Sequence, residues 1–393
     1  MHGCRRCLGK ELLLPSMALI GSARNGNQDL VLSLSTKECD MTQLLIYLAI
    51  GVLSLAGIRY RETRSVEGWF EKQNTDQMRG MCALLIIVHH IASQKFSDGL
   101  FHQLGYISVI SGYLLVGCFF LISGYGLEYG EVYAAKHKKH SLLRRVVTIG
   151  VPYITISLLY WVYGQYMAEQ IGFLDIVTSI LEGDPIVKYS WYSAAIIIVY
   201  VFFEISKMNS SRKCNLYVMT LLLVGYIMFG VFRNYSVYWY NAVLIVLVGI
   251  LVARYKEQIY CWIKHYDKTS VIVSLIALGA GTVLQIKYGN NVGEVARILI
   301  QQVTLIAAIY LMMMVDYFFS LNSKFLKWVA AFSYEIYLTH GLVMNVAKNF
   351  FAVDIAGIAY AGIVIVITIL LSFAEHLLNK KVIRALNRLI LAQ

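Results

Sequence analysis

The side chains in this chain best placed to do chemistry are an arginine and a histidine eleven residues apart, Arg79 and His90, in the stretch RGMCALLIIVHH. An α-helix turns about 100° per residue, so eleven residues bring the two within about 20° of one face. The same interval is on the order of 16 Å along the axis, which puts His90 near mid-bilayer when Arg79 sits at the surface. An ionisable group at that depth costs about 2.5 to 3.5 kcal/mol on insertion scales and ordinarily faces a polar cavity. Taken singly, Arg79 is explained as a topology flank and His90 as an imidazole bonded to a neighbouring helix. On one face, leading from surface to midplane, the two read as a site. His89, about 100° around the helix, is expected to pack or to support His90.

A second histidine lies in AAFSYEIYLTHGLV, where Ser333, Tyr337 and His340 follow an i, i+4, i+7 pattern and share a stripe. His340 is about 18 Å in from Lys327 or Trp328 by helical rise, again near the midplane. Two histidines on separate helices at matching depth point to one shared polar site. Glu335 points elsewhere, towards Thr339, and reads as structural. Between the two histidine helices runs GCFFLISGYGLEYG, whose Gly117, Ser123, Gly124 and Gly126 let helices approach closely, Ser123 also being able to bond across such a contact. The loop after it is the most basic in the chain, with Lys136, Lys138, Lys139, Arg144 and Arg145 ahead of Pro152 and Tyr153. Such a cluster fixes topology or touches anionic lipid. It also suits the phosphates of a nucleotide-bearing donor. Tyr189, Trp191 and Tyr192 stand where a surface segment re-enters the membrane, and an aromatic belt is expected there. No P-loop, GxSxG elbow or HExxH occurs. Cys4-x2-Cys7 has no second pair to complete a zinc site, so no metal is expected.

These residues have to be positioned by helices. The chain is 58% hydrophobic and 15% charged, with a mean hydropathy of +0.62. A soluble domain is nearer 45 to 50% apolar and 25% charged, so this is a polytopic membrane protein, an all-α bundle. Eleven spans are expected, near 42–58, 79–95, 104–127, 146–163, 191–205, 216–232, 237–253, 270–287, 296–319, 329–349 and 353–378. The segment 164–190 is too polar to cross, and its GFLDIVTSILEG has the apolar spacing of an interfacial helix. Alternate loops hold 23 basic residues on one side and 6 on the other, the six being Lys95, Lys188, Arg233, Lys287, Arg297 and Lys348. That bias places Arg79 and the C-terminus on the cytoplasmic side. The net charge of +11 is spread over these loops rather than gathered into a patch, which excludes nucleic acid as a partner. Residues 1–40 are expected to be a disordered or upstream extension, 41–78 an additional span with a basic linker, and 79–393 the working domain.

With these residues set out, the chain resembles acyltransferase family 3, integral-membrane enzymes that include cell-envelope O-acetylases. RGMCALLIIVHH is similar to the family's Arg-x10-His motif, GCFFLISGYGL to its GxFFxxSGY run, and RRVVTIGVPY to its basic-then-proline segment. The pair Trp191–Tyr192 sits where the family has an aromatic pair, and FSYEIYLTH is similar to its SYxIYLxH signature. The resemblance implies about ten core spans, so the one at 42–58 is an addition. It implies transfer of an acyl group, most often acetyl, from cytoplasmic acyl-CoA to a hydroxyl of a glycan or lipid-linked sugar in a bacterial plasma membrane. In that reading His90 is the base that takes the hydroxyl proton, with Arg79 holding a CoA phosphate or orienting the thioester end. Arg144, Arg145, Lys138 and Lys139 take the remaining phosphates. Tyr337, His340, Ser333 and Ser123 bind the acceptor or steady the oxyanion. An acyl-histidine relay remains an alternative to direct transfer. The competing class is a transporter or flippase, since midplane ionisable groups also serve proton coupling; the hydropathy shows no inverted repeat to support it.

Overall fold

The computed structural model describes residues 51–52, 56–93, 112–133, 141–208, 211–288, 292–350 and 358–392. Among them the regular structure is helical except for one two-stranded ribbon, β1 (Ile58–Tyr60) paired antiparallel with β2 (Phe319–Leu321), Ile58 opposite Leu321. The ribbon seats the entry to α1 (Lys72–Ser93). There the buried carboxylate of Asp316 accepts the Phe70 N–H and an Asn74 Nδ2–H at 2.5 Å each, with the Arg61 guanidinium at 3.6 Å.

α1 occupies the centre of the bundle. Against it pack α2 (Gly112–Tyr133), α10 (Lys324–Ala330), α11 (Ser333–Phe350) and α12 (Ile358–Ala392). Buried residues lie all the way around α1 and α11, so both are enclosed by protein rather than lipid and can carry histidines at depth. α3 (Ser141–Tyr166) packs on α11 and α12 and on α5 (Trp191–Ser206). α6 (Arg212–Phe232), α7 (Ile245–Arg254), α8 (Lys256–Tyr288) and α9 (Glu294–Phe318) complete the bundle, α7 lying along α2 and α8 along α9. Among the described residues six segments are long and apolar enough to cross a membrane: Gly112–Glu131, Ser141–Tyr166, Arg212–Phe232, Lys256–Tyr288, Val295–Phe318 and Ala359–Ile390. The chain is an integral, multi-pass membrane protein with an all-α fold.

The α2–α7 contact is made by glycine on both helices. A Cβ at Gly124 would overlap the Val246 carbonyl oxygen, and one at Gly249 that of Leu121, so the backbones meet directly. Gly117 faces Leu305 on α9, whereas Gly126 faces open space and serves no close approach. The surface helix expected from GFLDIVTSILEG is α4 (Phe173–Glu182), with Ile176 and Ile180 buried and Leu174 and Leu181 exposed.

Several helix bounds differ from expectation. The segment 237–253 is a 3₁₀ turn, Val237–Trp239, followed by the ten-residue α7; the Asn241 carbonyl accepts the Gln302 side chain instead of a helical N–H. The segment 329–349 is broken after Ala330, where the Ser333 hydroxyl donates to the Ala330 carbonyl at 3.2 Å, and α11 begins. Both 254–269 and 379–393, expected as loops, are largely helical extensions of α8, kinked at Tyr266, and of α12. The expected span at 42–58 falls largely outside the described residues, and its last residue, Ile58, is in β1; residues 1–40 lie outside them altogether.

Candidate active site

α1 and α11 bring His90 and His340 together with ring centroids 5.0 Å apart. The Tyr189 ring completes the cluster, 3.6 Å from His90 and 5.2 Å from His340, with all three planes within about 20° of parallel. His340 is fully buried, and its Nδ1 lies 3.1 Å from the Ile336 carbonyl. A carbonyl only accepts, so Nδ1 carries the proton and Nε2 is left as an acceptor, buried and without a partner among the described residues. His90 stands in front of it and opens onto a cavity of about 580 Å³ walled by His89, Gly112, Tyr113, Lys188, Tyr189, Trp191, Tyr238, Asn241, Gln285, Arg297, Gln301 and Tyr337.

Arg79, three turns back along α1, opens onto a different cavity of about 480 Å³ at the basic end of the bundle. Its Nη2 donates to Asp76 at 2.8 Å, while Nε is buried and unpartnered among the described residues. Ser123, Tyr192, Ser333, Glu335, His376, Lys380 and Arg384 share this cavity. Arg144 and Arg145 wall a smaller recess that adjoins it through Thr148, Ile149 and Tyr200, with Arg145 3.6 Å from Glu204. Lys138 and Lys139 lie outside the described residues.

The two cavities meet at Tyr337, whose ring lines both. Its hydroxyl donates to the Tyr189 carbonyl and accepts the Tyr192 N–H at 3.1 Å. This phenol thereby ties the segment 189–192 to α11, and holding that segment, which carries the ring stacked on His90, is its structural task. In place of the single passage implied by Arg79 and His90 sharing one wall, there are two cavities end to end, one served by each residue.

The structure redistributes the other predicted residues. Ser123 and Ser333 do not join the histidines: Ser123 Oγ lies 3.3 Å from the Tyr192 hydroxyl, and both serines face the basic-end cavity. Tyr189 and Tyr192 turn inward rather than forming a belt, Tyr189 lining the cavity in front of His90 and Tyr192 the basic-end one. His89 lines the cavity beside His90, its ring centroid 4.6 Å away. Glu335 turns away from Thr339 and accepts from His376 Nδ1 at 3.1 Å, while Thr339 pairs with Ser372 at 2.6 Å. His376, Lys380 and Arg384 were not anticipated, although their i, i+4, i+8 spacing puts them on one face of α12. Among the described residues no group of histidine, cysteine and carboxylate side chains could hold a metal ion.

The site is thus a membrane helix bundle with a basic cavity at one end, an amide- and aromatic-lined cavity beyond it, and paired imidazoles beside their junction. A family model described as an acyltransferase domain matches residues 73–375, and the chain belongs to that family, acyltransferase family 3. No curated protein and no solved structure is similar enough to the chain to count as a match.

Proposed function

We propose that this membrane acyltransferase moves an acyl group, most simply acetyl, from acyl-CoA bound in the basic-end cavity to a sugar hydroxyl held in the cavity that His90 lines. The observation that carries the reading is the placement of Arg79 and His90 on one helix, facing two cavities that meet at Tyr337. The charge bias of the loops supports reading the basic end as cytoplasmic, which is where acyl-CoA is found, with the His90 cavity towards the outside.

The chemistry follows from the groups present. A CoA thioester carries its phosphates on one end, and Arg144, Arg145, Lys380 and Arg384 surround the basic-end cavity and its recess. Arg79, on the helix that carries His90, directs the thioester arm towards the junction. A sugar hydroxyl is a weak nucleophile at neutral pH. A neutral imidazole within reach takes its proton as the oxygen attacks the thioester carbon, and the thiolate leaves. His340, held in one tautomer by the Ile336 carbonyl, backs the His90 ring and fixes where it stands. The membership of an acyltransferase family favours the enzyme over the transporter reading.

The test uses purified full-length protein in nanodiscs with radiolabelled acetyl-CoA. Wild type is expected to release CoA in the presence of a glycan acceptor, and His90→Ala to lose on the order of 10²- to 10⁴-fold while inserting and melting like wild type. Full activity in the variant would remove His90 from the mechanism. No CoA release from wild type with any glycan would remove the reaction.

A further inference from the structure

The cavity in front of His90 carries a positive charge that topology does not explain. Of the six basic residues on the sparsely charged side, two, Lys188 and Arg297, line this one cavity. The charge rule that orients membrane proteins acts against such residues there, so a flanking role does not account for them. Arg297 has a buried Nε with no hydrogen-bond partner, and no carboxylate pairs with its guanidinium among the described residues. Asp184, exposed at the mouth, is the one acidic side chain on the described wall. A guanidinium nitrogen withdrawn from water and left unpaired is costly, and an incoming anion offsets that cost.

The rest of the wall is built for a sugar. Asn241, Gln285 and Gln301 present carboxamides, which both donate to and accept from hydroxyls. They are held in place: Gln285 Nε2 donates to Tyr113 at 2.7 Å and to Thr304 at 3.2 Å, and Asn241 Nδ2 donates to Gln301 at 3.3 Å. The Asn241 Oδ1 is buried and still lacks a donor. Tyr189, Trp191 and Tyr238 supply flat apolar faces, and a volume of about 580 Å³ is within the range of small-ligand sites.

We infer that the acceptor is an anionic sugar, one bearing a carboxylate or a phosphate, and that Arg297 binds the anion, so orienting a neighbouring hydroxyl towards His90. The inference rests on the acyl-transfer reading for the role of that hydroxyl, but the anion site itself does not depend on it.

Two measurements on full-length protein in nanodiscs separate the ideas. The probes are methyl glucoside, methyl glucuronoside and methyl glucoside 6-phosphate. The readouts are the ligand-induced rise in melting midpoint and the probe-dependent release of CoA. Wild type is expected to be stabilised by the charged sugars above the neutral one and to acylate them with a KM roughly 10- to 100-fold lower. Arg297→Gln should raise KM for the charged sugars by that factor with kcat largely retained, and Arg297→Lys should fall between. A preference confined to one charged probe identifies the group as carboxylate or phosphate. Equal stabilisation by the neutral sugar, no stabilisation by either charged one, or a preference that survives Arg297→Gln overturns the inference. Arg297-dependent stabilisation without CoA release upholds the anion site and sinks the transfer reading; CoA release with no preference does the reverse.

Discussion

Arg79 and His90 open from one helix onto two cavities, and the roles proposed for them call for different substitutions. Arg79 is already half engaged by Asp76, with 38% of its side chain exposed into the basic-end cavity. A lysine there keeps the charge but loses the planar fork. Arg79→Lys is therefore expected to cost about tenfold or more in transfer, measured by acylated product, with unchanged insertion. One helix face put Arg79 and His90 in a single site where the structure gives them separate cavities, but the meeting of His90 with His340 was legible in the sequence, because depth follows from helical rise alone. Tyr189 and Tyr192 were not. An aromatic at a membrane boundary is most simply a belt, and what sets Tyr189 apart is a turn with φ of 65° that lays its ring on His90. Glu335 was misplaced for a related reason: its partner His376 is on another helix, and nothing local to α11 reveals which face α12 covers.

Packing between helices supplies the frame that holds those rings. α2 and α7 are joined by backbone contact at Gly124 and Gly249 and, nearer the basic end, by Arg254 Nε donating to Glu128 at 2.8 Å, with side chains 9% and 6% exposed. Removing one partner of so buried a pair strands the other. Glu128→Ala should therefore lower stability by about 3 to 5 kcal/mol, whereas replacing both residues with apolar ones of similar size should cost much less. Melting in detergent distinguishes the two, and equal losses would contradict the account. Glycine's small size made Gly124 readable in advance as a contact, yet Gly126, equally small two residues on, faces nothing. The helix ends were less readable than their cores: the break before Ile245 depends on a side chain from α9, Gln302 on the Asn241 carbonyl, and the one after Ala330 is marked by no proline or glycine.

Across the whole molecule, α12 couples the membrane core to the basic end, carrying Thr368 and Ser372 within the bundle and His376, Lys380 and Arg384 into the cavity. Lys380→Gln combined with Arg384→Gln is expected to raise the KM for acyl-CoA roughly tenfold or more while leaving kcat largely intact, since both side chains would hold phosphates remote from the bond that breaks. Steady-state kinetics in both substrates reads this directly, and a selective fall in kcat would place the pair nearer the chemistry. The meeting of two cavities at the Tyr337 ring has a bioenergetic consequence as well. A water column from one face to the other would short-circuit the electrical potential of the membrane, whereas an aromatic plug lets an acyl group be handed across without a current of ions. Tyr337→Ala, reconstituted in liposomes, should accordingly let protons through where the native protein does not.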